Sequence, residues 1–284
     1  MPERPEVVNQ VSTVGLDVVE KPLGAWNTIY ANGAVRKTAL LILLAAAWEG
    51  YARWLGNSLL FPTFFSTVAA LFSAIGSGEL PRAAGFTIKL LLKGYVAGVV
   101  LAALFTAFAT YTRLGADLLE ILTGMFNPLP SIALLPLALI WFGLGDGSVI
   151  FVLIHAVLWV VALNTFAGFR AISPTLRMVG RNYGLSNLGY TTRILIPGAF
   201  PSILTGLKVG WAFAWRTLIA AELVFGVSSG SGGLGWYIFE HKNQLLIPQV
   251  FAGLLTVILF GLFVENLIFK VIENRTVRRW GMQS

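Results

Sequence analysis

No cysteine occurs in the 284 residues, so neither a disulfide framework nor a thiolate metal site can be built. Histidine is nearly as scarce: His155 and His241 are the only two, too far apart in sequence to form a His-x-x-x-His metal pair. Charge is also thin. Asp, Glu, Lys and Arg make up 12% of the chain, about half the share found in soluble domains, which excludes an ordinary water-soluble globule. No Gly-x-x-x-x-Gly-Lys-Ser/Thr run is present, so this chain binds no nucleotide through a P-loop. The glycine-rich stretch 228–235 is no phosphate cradle either, because no Gly-Lys-Ser/Thr follows it.

What the chain has is hydrocarbon. Hydrophobic residues reach 56% and the mean hydropathy is +0.77. A helical span needs about 20 apolar residues, and the sequence predicts six: 38–55, 89–111, 116–143, 148–169, 199–227 and 246–272. Trp48, Tyr51 and Trp54 mark the outer end of the first as interfacial aromatics. Residues 59–80 are apolar but interrupted by Pro62, Ser66, Ser73, Gly76 and Gly78, and read as a helix lying at the outer surface. The third span is expected to bend at Asn127, Pro128, Pro130 and Pro136. The resulting fold class is an all-α integral membrane protein. Its predicted organisation is an N-terminal tail over 1–36, a six-helix membrane domain over 37–274 and a basic tail over 275–284. The first 36 residues hold no apolar run and so are not read as a secretory signal. Trp26, Ile29 and Tyr30 fall at helical spacing, as an interfacial helix or as plain linker; both readings stand.

Six spans place both termini on one side, and basic residues say which. Arg36, Lys37, Arg113, Arg170, Arg177, Arg181, Arg193, Lys270, Arg275, Arg278 and Arg279 gather on the N-terminal side, against chiefly Arg53, Arg82 and Lys242 opposite. The basic side is expected to be cytoplasmic. The net charge of +7 is explained by this asymmetry, without recourse to nucleic acid.

The polar interruption between the fourth and fifth spans, 171–198, carries most of the remaining signal. Ser173 can cap a helix with Pro174 at its first position. Gly184 can end that helix in the left-handed conformation or admit close approach of another backbone. Leu185 and Ser186 open a second short helix, and Pro197 is expected to halt the chain before the fifth span. The segment Met178-Val179-Gly180, three residues, Gly184, nine residues, Ile194-Leu195-Ile196-Pro197 resembles the EAA loop of ABC importer permeases, with Gly, Ile and Pro at the family spacing. Pro130, Pro136-Leu137, Trp141 to Asp146, Asn164-Thr165, Pro201, Gly206-Leu207-Lys208 and Ala221-Glu222 extend the likeness to the nitrate, sulfonate, taurine and bicarbonate class. The Glu-Ala-Ala triplet itself is absent, and Leu90 stands where the class commonly has arginine.

The resemblance implies a type I ABC importer permease fold in a bacterial inner membrane, with cytoplasmic coupling helices. It implies separate ATPase subunits that bind the ATP and Mg²⁺, a second permease copy, and a periplasmic or lipid-anchored solute-binding protein. Coupling to the ATPase is assigned to Arg177, Arg181, Tyr183, Gly184, Leu185, Ser186 and Pro197. The outer loop with Gly230, Gly232, Gly233 and Gly235 is expected to face the binding protein.

Intramembrane charge is a functional signal by default. Candidates for the translocation pathway are Arg216, Glu222, Trp211, Trp215 and Asn164. Arg216 lies deep in the fifth span and is placed to attract an anion; Glu222 is placed either to tie the outer turn or to touch solute. Trp211 and Trp215 form an i, i+4 stripe that packing also explains, and Asn164 and His155 can serve as interhelical hydrogen-bonding groups. Lys208 reads as a snorkelling residue, Lys89 and Lys93 as snorkelling residues or an electropositive vestibule, and Gly94-x-x-x-Gly98 as a close helix contact. An ion-coupled carrier is the alternative; it calls for an acidic or histidine relay and internal repeats, and no convincing repeat is found.

Overall fold

The structure, a computed structural model, describes residues 31–225 and 232–279, and only the backbone of Arg181 and Phe225. The segment around Trp26, and Gly230 of the outer loop, lie outside the described residues. All regular structure described is helical. The chain divides into two units, 1–50 and 51–284. Helix α1 (Gly33–Leu55) begins in the first and ends in the second.

In the larger unit, α2 (Phe64–Gly76) starts where the Thr63 hydroxyl accepts the Ser66 N–H at 3.1 Å. Helix α3 (Glu79–Tyr111) follows and is about 50 Å long at 1.5 Å per residue, more than a bilayer core of about 30 Å requires. The third predicted span is more than bent. Helix α4 (Arg113–Phe126) stops, and a 3-10 turn (Ser131–Leu134) leads into α5 (Leu135–Phe142) at 90° to it. Pro128 and Pro130 supply no N–H to continue the ladder beyond Asn127, whose own N–H still reaches Thr123 O at 3.0 Å. Helix α6 (Asp146–Ala171) begins after Gly143, which lies at φ +71°. The Ser148 hydroxyl fastens that corner to Gly143 O at 2.5 Å.

Beyond the polar loop come α7 (Pro174–Asn182), α8 (Asn187–Tyr190), a π-helical turn (Thr191–Leu195) and α9 (Ile196–Phe225). Helix α10 (Leu234–Asn243), α11 (Ile247–Phe263), a second π turn (Val264–Phe269) and α12 (Lys270–Arg275) complete the described chain. Four runs are long and apolar enough to cross a membrane: Glu79–Tyr111, Asp146–Ala171, Asn187–Val224 and Ile247–Arg275. The bent pair α4–α5 raises this to five. Residues 38–55 are helical, as expected, but Glu49 and Arg53 dilute their apolar run, and α1 is not among the four.

Helix α6 is the core: 56% of its apolar window is buried, against 17% for Ile247–Arg275, which therefore presents most of its surface outward. Helices α3 and α9 pack closely on α6. Gly94 and Gly98 make the α3 approach possible, since an added Cβ would lie 2.5 Å from Leu153 Cβ at the first and 2.7 Å from Val157 Cβ at the second. This is the contact the Gly-x-x-x-Gly spacing predicts. The exposed face of α3, with Val96, Val100, Leu104 and Phe108 at i, i+4 spacing, is what a lipid-facing helix requires.

Candidate functional site

The loop between α6 and α9 is a short helix hooked onto the end of a long one. Ser173 caps α7, its hydroxyl accepting the Leu176 N–H at 3.3 Å. Gly184 terminates α7 at φ +62°, and the Leu185 N–H returns to Gly180 O at 3.4 Å, the six-to-one bond of a Schellman ending. The Ser186 hydroxyl then caps α8 by accepting the Gly189 N–H at 3.3 Å. Gly180 lets the two short helices close, because a Cβ there would meet the Tyr190 ring at 2.7 Å. Tyr111, at the end of α3, donates to Asn187 O at 3.0 Å and anchors the loop to the bundle. The tip is apolar and open: Tyr183 is 80% exposed and Leu188 72%.

One expectation for this loop changes. Pro197 does not halt the chain, which runs helically from Asn187 to Val224. The π turn is the reason: the Ile196 N–H bonds back five residues to Thr191 O, and this widened turn precedes a residue that has no N–H to give. Arg177, assigned to coupling, has its guanidinium turned inward. It donates to Phe169 O at 2.6 Å through Nη2 and to Ile172 O at 3.2 Å through Nε, capping the carbonyl end of α6. Arg193 is exposed.

On the opposite side, Glu222 is 4% exposed and acts as a tie. Its carboxylate accepts the Thr87 hydroxyl at 2.9 Å and the Gly235 N–H at 2.8 Å. Thr87 in turn accepts the Leu234 N–H at 2.8 Å. The start of α10 is thereby bonded to α3 and α9 together, and a side chain at Gly233 would run into both Glu222 and Thr87. Nearby, His241 Nδ1 lies 2.8 Å from Tyr237 O and Nε2 lies 3.5 Å from Glu79. Burial and the Glu79 carboxylate push the Tyr237 hydroxyl up to about 12, so it stays neutral.

Between these ends lies a cleft of about 330 Å³, walled by the α4–α5 break, α6 and α9. Arg216 lines it, exposed, with its guanidinium 5.6 Å from the Phe213 ring centroid. No carboxylate among the described residues lies within ion-pair distance of Arg216. His155 and Trp159 enter from α6. The Ser131 hydroxyl lies 3.2 Å from His155 Nδ1, and Phe126 stacks on Trp159 at 5.2 Å and 17°.

The other pathway candidates stand apart from this cleft. Trp215 is buried against Phe260 at 5.0 Å, Trp211 meets Tyr95 at 5.3 Å, and Asn164 Nδ2 donates to Val160 O of its own helix at 2.8 Å. Lys208 is paired with Glu273, which ties α9 to α12. Lys93 sits 3.2 Å from Asp146 at the start of α6. Thr87 and Trp159 were not singled out from the sequence. An isolated threonine and a tryptophan in an apolar run give no signal until another helix is set beside them.

A bundle of long apolar helices, with a polar hook leading into the longest of them, has the architecture of a multi-pass membrane protein. Residues 94–278, more than half of the chain, match the family of binding-protein-dependent transport system inner membrane components, and the protein belongs to that family. Its fold is therefore that of a type I ABC transporter permease. Similar proteins include the Escherichia coli permease protein SsuC, named for aliphatic sulfonates transport, 29% identical over 84% of this chain and 88% of its own. The nitrate import permease protein NrtB of Synechocystis is 26% identical over 84% and 88%. The taurine transport system permease protein TauC of Escherichia coli is 31% identical over 52% of each chain.

Proposed function

We propose that this chain forms the translocation pathway of an ATP-driven importer of a small anion and works by alternating access. Power comes from separate ATPase subunits that bind ATP and Mg²⁺, and solute from a periplasmic or lipid-anchored binding protein. Two copies of the chain pair about a two-fold axis. In this reading the bundle crosses the inner membrane six times with both termini cytoplasmic, the tail 1–36 preceding it and 275–284 following.

The observation that carries the reading is the continuity of the hook with α9. Its exposed tip, at Tyr183 and Leu188, is one helix away from Arg216 in the cleft. Tyr183, Gly184, Leu185 and Ser186, with Arg181, form the docking surface in this proposal; Arg177 and Pro197 hold its shape. Arg216 meets the solute, and Asn164, Trp211, Trp215 and Glu222 position the helices behind it. The similar proteins are named for sulfonates, taurine and nitrate, which agrees with the cationic Arg216 lining the cleft.

Reconstitution of the chain with its ATPase and binding protein in proteoliposomes tests this. Uptake should require ATP and ignore imposed proton or sodium gradients. Gradient-driven uptake without ATP would overturn the proposal in favour of an ion-coupled carrier.

A further inference from the structure

Helix α3 is longer than a membrane crossing needs, and its excess is basic on one side. Residues 94–111 alone extend about 27 Å, close to the hydrocarbon thickness of about 30 Å. The stretch 79–93 before them therefore reaches into the headgroup layer and the water beyond it. At about 100° per residue, Arg82, Lys89, Lys93, Val96, Val100 and Leu104 fall within an arc of about 80° on this helix. All six are exposed. One outward strip thus runs from cations to hydrocarbon along the helix axis. Neither Arg82 nor Lys89 has a carboxylate within ion-pair distance among the described residues, and the two acids at this end, Asp146 and Glu79, face Lys93 and His241.

A separate observation sets the level of the membrane boundary on this strip. Lys93 lies 3.2 Å from Asp146, the first residue of α6, just after the α5–α6 corner. At that corner Trp141, Phe142 and Leu144 are each more than half exposed. The corner is held in shape: Trp141 and Phe142 meet the Phe151 ring at 5.7 and 5.4 Å, and Ser148 bonds Gly143 O. Exposed aromatics fixed near one height are what the membrane–water interface collects. Lys93 stands close to that height, Lys89 lies one helical turn further out, and Arg82 continues the positive strip toward water.

We propose that this strip is a binding site for an anionic phospholipid, of the phosphatidylglycerol kind, in the leaflet on the Glu79 side. The phosphate takes the Lys89 ammonium and the Lys93 N–H groups that Asp146 leaves over, since an ammonium has three to give. The acyl chains run along Val96, Val100 and Leu104. A second copy of the chain fits less well, because a two-fold contact centred on this strip sets Lys89 against Lys89. Thr87 lies on the same stretch of α3 as Lys89, so a bound lipid steadies the end of the helix that carries the Glu222 tie. The inference goes beyond the transport reading and needs only that α3 crosses the bilayer.

The test gives the full-length chain, purified in mild detergent, equal amounts of phosphatidylglycerol and phosphatidylcholine with the same acyl chains, and native mass spectrometry counts the lipid retained. Phosphatidylglycerol should be preferred. Lys89→Gln should cut that preference about fivefold and Arg82→Gln by less. Lys242→Gln, an exposed basic position on α10, should leave it unchanged. Thermal melts in phosphatidylcholine alone should match for all forms, which separates lost lipid from lost fold. Added phosphatidylglycerol should raise the melt of the unsubstituted chain more than that of Lys89→Gln. Equal retention of the two lipids, or a preference that survives the Arg82→Gln, Lys89→Gln double variant, overturns the site. Displacement of the lipid by inorganic phosphate alone overturns it as well, in favour of a simple anion site. The chain has no cysteine, so Val100→Cys reports on the remaining rival: disulfide-linked dimers formed there would show that a second copy covers the strip and would overturn the lipid site.

Discussion

Thr87 and Glu222 lie 135 positions apart in the chain and share a buried hydrogen bond of 2.9 Å. Thr87 also receives the Leu234 N–H, and Glu222 the Gly235 N–H, so the pair forms one knot among α3, α9 and the turn that opens α10. Glu222→Ala leaves the Thr87 hydroxyl and the Gly235 N–H without their acceptor, a cost of about 1–3 kcal/mol for each stranded group. The melting temperature of the solubilised protein should fall by several degrees. Glu222→Gln keeps one acceptor oxygen and should fall less. Equal melts for all three forms would show that the knot does not hold the turn.

Gly184 has a left-handed backbone and open space where a side chain would stand. Asn and Asp adopt that conformation more readily than other residues, so Gly184→Asn and Gly184→Asp should fold and insert normally. Both should nonetheless reduce transport-linked ATP hydrolysis, Asp to near zero, because the side chain intrudes on a docked partner. Unchanged stimulated hydrolysis would mean that no partner backbone approaches this position.

Arg177 makes a different prediction from its neighbours in the hook. Its bonds to Phe169 O and Ile172 O cap α6 from within the protomer. Arg177→Ala should therefore lower stability by about 1–3 kcal/mol, read as a fall in melting temperature without any ATPase present. Arg177→Lys should recover little, since an ammonium cannot reproduce the forked geometry of the guanidinium.

The α3–α6 contact is tight enough to show rescue. Gly94→Val places methyl groups against Leu153 and should cost about 1–3 kcal/mol as overpacking. Combining it with Leu153→Ala should cost less than the sum of the two single changes, measured as a double-mutant cycle on thermal melts. Strict additivity would show that the helices can separate at no cost.

How much of this was legible in the sequence depended on whether the signal was local. Gly184 and Ser173 announce themselves through backbone rules that act within a few residues, and the structure places both as expected. Gly94 and Gly98 were legible for a similar reason, since small residues one turn apart imply a close neighbour even when its identity is hidden. The partner of Glu222 was not legible, because nothing in a periodic apolar pattern selects Thr87 from among other buried hydroxyls. Pro197 misled because the rule for proline assumes an α-helical ladder, and the π turn before it changes the bonding pattern. The partner of Lys208 was hidden too, because a lone lysine near a helix end gives no hint of Glu273, which folding brings back from 65 residues downstream.

The unbroken run from Asn187 to Val224 has a plain geometrical consequence. A rod of 38 residues is about 57 Å long. Tilted by about 10° around its middle, it carries each tip sideways by about 5 Å, and in opposite directions. Two such see-saws facing one another would part on one side of the bilayer as they met on the other, so a single element could shut one door by opening its twin.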